Sequence, residues 1–240
     1  MIRPSRAVAV LIAVLLLPAC AVRRGPPPIL EPYDAVDPLI GTGASTTVSA
    51  TRHSEADNEP RGQTFPAVGV PFGMTHLTPQ TRDGAAKCVS PYYYVDRAIQ
   101  GIRASHWMSG SCTQDYGSFT LMPVVGQLRV RPEERDQPFD HGRESASPAY
   151  YAVSLDRSGA RIEATATARA GMLRVTVPTT QPSYLVVNPN SHQGRGSLEV
   201  LPERGEIVGS NPVYRIYAGQ GEPAGFSGYF VARLEGPIAE

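Results

Sequence analysis

The chain has 240 residues, 22 basic and 22 acidic, and a formal net charge of zero. That balance argues against the cationic excess that marks proteins built to hold polyanions, so no nucleic-acid partner is expected. Glycine and proline, 23 of each, fill about a fifth of the chain. Hydrophobic residues still make up 41%, too many for a disordered polymer. The expectation is a folded protein of many short strands joined by turns, long enough for a sizeable core.

At the start, Arg3 and Arg6 precede an unbroken apolar run from Ala7 to Leu17, closed by Pro18-Ala19-Cys20. A basic leader, a short apolar segment and a small residue before the cut describe an export signal over residues 1–19. The run is short for a membrane span. Leu17-Pro18-Ala19-Cys20 also resembles a bacterial lipobox, which would make Cys20 a lipidated first residue of the mature chain. The expected location is then the periplasm or cell surface, with Cys20 anchored in outer-membrane lipid. Residues 20–35 carry Pro26-Pro27-Pro28 and Pro32 and read as a stiff tether. The exported context permits a disulfide between the two remaining cysteines, Cys88 and Cys112. No CxxC, HxxxH or HExxH spacing occurs, so no metal site is read from spacing. Glu55, Asp57 and Glu59 read as a solvated acidic loop.

From Val36 onward the text is rich in turns, and period-2 alternation picks out the strands. Candidates in chain order are 118–122, 126–130, 149–155, 161–168, 171–177, 184–188, 198–201, 213–217 and 229–234. Tyr92-Tyr93-Tyr94 reads as edge-strand packing. The clearest alternation puts Ile162, Ala164, Ala166 and Ala168 on one face and Arg161, Glu163, Thr165 and Thr167 on the other. In the next strand Leu173, Val175 and Val177 point inward. No amphipathic helix stands out past the signal, and strands at this spacing predict an all-β sandwich.

Three segments are more specific than generic strands. They are Val36-Asp37-Pro38-Leu39-Ile40-Gly41-Thr42-Gly43, the run from Thr64 to Met74 followed by Leu77-Thr78-Pro79, and the stretch from Gly101 through Ser105-His106-Trp107-Met108-Ser109-Gly110-Ser111-Cys112 to Asp115-Tyr116-Gly117. Phe139-Asp140-His141 and the run from Glu144 to Tyr151 add to them. In this order and spacing they resemble the N-terminal domain of glycoside hydrolase family 92, the calcium-dependent exo-acting α-mannosidases. The resemblance covers residues 36–240.

The resemblance implies a large antiparallel β-sandwich of the galactose-mutarotase-like supersandwich type, packed in the family on a C-terminal (α/α)6 toroid. It also implies inverting hydrolysis of terminal α-mannosides, which needs an acid and a base with carboxyls roughly 6.5–9.5 Å apart. In the family those groups and most calcium ligands belong to the toroid, which this sequence does not match. The chain is therefore expected to hold no catalytic residue and no cofactor of its own. Its expected contribution is a loop facing the sugar. Trp107 suits stacking on a pyranose, while Arg103, His106, Asp115 and Tyr116 offer partners for hydroxyls. Cys112 either lines that site, pairs with Cys88 or fills core. Plainer roles fit the same residues: core packing for Trp107, a structural hydrogen bond for His106, a turn for Asp115. Three functions follow: the glycan-facing domain of a mannosidase, a free-standing lipoprotein that binds mannose-containing glycans, or one half of a split enzyme whose separate (α/α)6 chain is a partner.

Overall fold

The computed structural model describes residues 31–53, 60–81, 90–106, 117–178, 180–190, 195–214 and 222–236. Twelve strands run through them: β1 His76–Gln80, β2 Ala98–Ile99, β3 Gly101–Ser105, β4 Phe119–Val125, β5 Gln137–Ser147, β6 Tyr150–Leu155, β7 Arg161–Ala166, β8 Gly171–Thr176, β9 Ser183–Asn188, β10 Ser197–Leu201, β11 Glu206–Tyr214 and β12 Pro223–Arg233. The described helices are short, α1 Val48–His53 and the single turn α2 Pro132–Arg135. The strands form three antiparallel sheets in the orders β1-β3-β4-β9, β2-β5-β6-β7-β8 and β10-β11-β12. The protein is all-β, as its turn-rich alternation predicts.

The five-stranded sheet shows why. Tyr151, Val153 and Leu155 of β6 and Ile162 and Ala164 of β7 are buried, and register sets Tyr151 opposite Ala164 and Val153 opposite Ile162. Alternate residues therefore share one apolar face, the unit of stabilisation in a half-buried sheet. That face joins Ile99 and Phe139 of its own sheet with Leu77, Ile102, Met122 and Val124 of the four-stranded sheet in one core cluster. Two sheets around one core make the sandwich. Tight connections hold the register: Ser147 pairs with Tyr150 across Pro148-Ala149.

In β1 and β3 of the four-stranded sheet both faces are buried, so there alternation no longer sorts core from solvent. All five residues of β3 are buried. Register places Thr78, Arg103, Thr120 and Asn188 along one face, and Pro79, Ile102, Leu121 and Val187 along the other. The polar row is thus as deep as the apolar one beside it.

Five expectations change. Residues 126–130 form no strand; Leu128 and Val130 are exposed in the connection from β4 to α2. Tyr92, Tyr93 and Tyr94 lie in an irregular segment, the first two buried, and not on an edge strand. Val175 of β8 is exposed because β8 is the last strand of its sheet in the described residues. The strand sought at 213–217 starts earlier, at Glu206, and that sought at 229–234 starts at Pro223. Strand β5 escapes period-2 reading because it bulges. Phe139 faces Leu155 and Glu144 faces Val153, so residues 140–143 stand against Ser154 alone. A bulge of this kind re-aims side chains, and here it turns inward the groups described next.

Candidate functional site

The loop singled out in the sequence joins β3 to β4. Arg103 is not at its edge but in mid-strand on β3, 2% exposed. Its Nη2 donates to Ser118 Oγ at 2.8 Å and its Nη1 to Gln80 Oε1 at 3.4 Å. His106 follows the end of β3 and is half-buried. Trp107, Cys112, Asp115 and Tyr116 lie outside the described residues, as do Cys20 and Cys88 and the cluster Glu55, Asp57 and Glu59. The structure therefore brings together Arg103 and the strand base of the loop.

Behind that base sits a buried polar network. Thr120 donates through Oγ1 to Gln80 Oε1 at 2.8 Å and accepts from Asn190 Nδ2 at 3.0 Å. Asn190 also reaches Ser118 Oγ at 3.3 Å. It has a left-handed backbone, φ 23°, a conformation asparagine tolerates better than most residues. Asn211 of β11 donates to the carbonyls of Ser118 at 3.2 Å and Asn190 at 3.0 Å. Its Oδ1 is buried with no partner among the described residues, and so is the hydroxyl of Tyr214. Buried polar groups persist only when answered by partners, and this network answers most of its own.

The loop leaves the network through a close backbone contact. Gly117 has φ 63°, and a Cβ built on Gly228 of β12 would fall 2.0 Å from Gly117 Cα. Only glycine on both sides permits that approach. Phe119 and Phe230 stack beside it with ring centroids 4.0 Å apart. The three-stranded sheet is thereby held against the base of the loop.

Sequence reading missed Gln80, Ser118, Thr120, Asn190 and Asn211. Their one signal, polar residues two apart in Ser118/Thr120 and Thr78/Gln80, is also the signal of a solvated face. It becomes informative only when the strand is known to be buried on both sides.

A second titratable cluster lies at the β5 bulge. The Glu144 side chain is 0% exposed. Tyr151 donates to its Oε1 at 2.7 Å, Tyr92 to its Oε2 at 3.0 Å, and His141 Nδ1 lies 2.6 Å from the same Oε2. His141 Nε2 is 2.6 Å from the carbonyl of Tyr94. A carbonyl only accepts, so Nε2 carries a hydrogen, and one proton lies between Nδ1 and the carboxyl group. Tyr94 stacks flat on the His141 ring at 3.9 Å. Burial first, then the neighbouring Glu144, pushes the Tyr92 and Tyr151 phenols well above their ordinary value of 10.0. The cluster ties the 90–97 segment to β5 and β6. With Glu144 sealed from solvent, its work is structural.

Among the described residues no three His, Cys, Asp or Glu side chains come together to hold a metal ion. The groups around the loop base are hydroxyls, amides and a guanidinium, buried and paired with one another.

Residues 35–240 match the family model described as the glycosyl hydrolase family 92 N-terminal domain. The chain belongs to that family. Among solved structures this family 92 domain is similar to the family GH92 inverting mannosidase from Bacteroides thetaiotaomicron VPI-5482, with 31% identity and a TM-score of 0.68 over 86% of this chain and 25% of that one. A GH92 α-mannosidase from Bacteroides thetaiotaomicron shares the fold at 22% identity, TM-score 0.60, over 75% of this chain and 23% of that one. No curated protein matches. The family 92 domain seen here therefore spans about a quarter of the length of the mannosidases it matches.

Proposed function

We propose that this chain is the glycan-facing N-terminal domain of an exo-acting, inverting α-mannosidase for mannose-containing glycans. The acid, the base and the calcium ligands belong to a helical (α/α)6 domain outside it. The match of residues 35–240 to the family 92 N-terminal domain carries this reading. The polar wall of Gln80, Arg103, Ser118, Thr120 and Asn190 serves to brace the β3–β4 loop, so that Trp107, His106, Asp115 and Tyr116 meet sugar hydroxyls on a firm base. Cys112 belongs to the same loop. Export over residues 1–19 and anchoring through Cys20 place the domain at the outer membrane or in the periplasm.

Two assays test the proposal. The chain alone, with calcium, releases no mannose from α-linked mannobiosides. A fusion in which this chain replaces the matching first quarter of the 31%-identical inverting mannosidase releases it. Turnover by the chain alone overturns the assignment of acid and base to another domain. An active fusion whose turnover is unchanged by Trp107→Ala and by Asp115→Asn overturns the sugar-facing role.

A further inference from the structure

The far end of β4 carries a feature that the glycan-facing reading does not use. Beyond Val125 the chain turns through residues 126–131 into α2, and the β6–β7 turn lies alongside. Together they enclose a cleft of about 240 Å³. Strand β4 has seven residues, so the cleft lies roughly 20 Å from the β3–β4 loop at about 3.3 Å per residue. It is a separate place on the molecule.

Its walls are about half polar and carry an excess of cationic side chains. Three guanidinium groups, those of Arg129, Arg135 and Arg157, line it against one carboxyl, Glu134, with the amides of Gln127 and Gln181 between them. Glu134 already faces Arg131 at 4.0 Å. An outer extension of the cleft adds Glu133 and Asp136 at the rim. Arg129 and Arg157 are exposed, whereas Arg135 is 2% exposed. Arg135 Nε donates to the Gln100 carbonyl at 3.2 Å and Nη1 to that of Val130. Nη2 is buried and has no partner among the described residues.

That leftover donor is the decisive observation. A guanidinium presents five N–H groups and cannot shed its charge to escape the cost of burial. Desolvation holds Arg135 below its ordinary value, offset only by the charge of Glu133. Neutral carbonyls satisfy Nε and Nη1 without neutralising the cation. An acceptor with negative charge answers both deficits, and guanidinium pairs with carboxylate, phosphate and sulfate in the strongest of protein hydrogen bonds.

We propose that this cleft binds a small oxyanion, with Arg135 at its floor and Arg129 and Arg157 at its mouth. Nη2 is closed to water in this conformation, so its pairing with a ligand needs a side-chain rearrangement, a fast motion. Arg129 donates to the Glu134 carbonyl at 3.5 Å, its one hydrogen bond among the described residues. The acidic rim of Glu133 and Asp136 disfavours extended polyanions and leaves room for a single anionic group.

Thermal unfolding of the purified chain tests this, in buffer of constant ionic strength balanced with sodium chloride. Sodium phosphate, sodium sulfate and sodium acetate are titrated separately. The expected result is a saturable rise in Tm above the chloride baseline with at least one of them, as linkage requires of a ligand bound only by the folded state. Phosphate and sulfate acting alike assign a tetrahedral oxyanion, and acetate acting alone assigns a carboxylate. Arg129→Gln and Arg157→Gln change exposed side chains, so the anion-free Tm stays put while apparent affinity falls about tenfold in each, the effect of one lost charge-assisted bond. Arg135→Met abolishes the response in a chain shown by circular dichroism to be folded. No saturable response to any of the three anions, or a response unchanged in the Arg129→Gln, Arg157→Gln double variant, overturns the proposal.

Discussion

Glu144 stands out at the scale of single residues, because a carboxyl group wholly out of water must have its oxygens answered. Tyr92, Tyr151 and His141 do so from three segments of the chain. Glu144→Gln keeps the shape but loses an acceptor and breaks the match to His141, and is expected to cost about 2–4 kcal/mol in urea unfolding. Tyr151→Phe leaves one oxygen short and should cost about 1.5–3 kcal/mol. The pair is expected to be strongly non-additive in a double-mutant cycle, because both changes act on one network. The same phenols set an alkaline limit. Their folded values are raised above 10.0, so the unfolded chain releases protons above that pH while the folded chain keeps them. Stability is therefore complete below pH 10.0 and falls as pH rises beyond it. Tyr92→Phe should flatten that fall, and an equal slope in wild type and variant would count against it.

A different titration belongs to whole strands. On the outer face of the five-stranded sheet Glu163 of β7 accepts from Arg174 of β8 at 2.6 Å and 2.8 Å and from Tyr150 of β6 at 2.5 Å. The Arg174 hydrogen bond, then that of Tyr150, holds the Glu163 carboxyl down to about 2 from 4.5. Lowered in the folded state, it stabilises above pH 4.5 and that contribution is lost as pH falls from 4.5 through 2. Glu163→Gln should make acid unfolding shallower in that window, and salt should shrink the difference because the pair is at the surface. These strands were legible in the sequence because one face is core and the other solvent. Ile162 and Ala164 against Glu163 and Arg161 is the pattern in plain view. Strands β1 and β3 were not, since Thr78, Gln80 and Arg103 are polar yet buried, and polarity normally reads as exposure. The β5 bulge hid His141 and Glu144 for a third reason: four residues against one break the period on which the reading depends. The loop was marked by its text, but the network that braces it was invisible until Asn190 and Asn211, far off in the chain, were seen to reach Ser118.

For the molecule as a whole, the three-stranded sheet sets the character of one surface. Register puts Val208 opposite Val231 and Ser210 opposite Tyr229, so the two β12 residues share a face, and they are 66% and 81% exposed. Apolar side chains exposed side by side favour association. The isolated chain should bind a hydrophobic dye and sediment with concentration-dependent mass, and Tyr229→Ser with Val231→Thr should lower both without altering the circular dichroism. Unchanged dye binding would put the sticky surface elsewhere. The Gly117–Gly228 approach has a further consequence, in the order of assembly. Strands β3 and β4 leave the ribosome early, but the residues that seat the loop between them, Asn211 and Gly228, arrive about a hundred positions later. Long-range contacts of this kind form late, since loop closure must be met before they reward it. A nascent chain halted before β12 would therefore carry its sandwich core with the base of the β3–β4 loop still unset, and β12 is the strand that seats it.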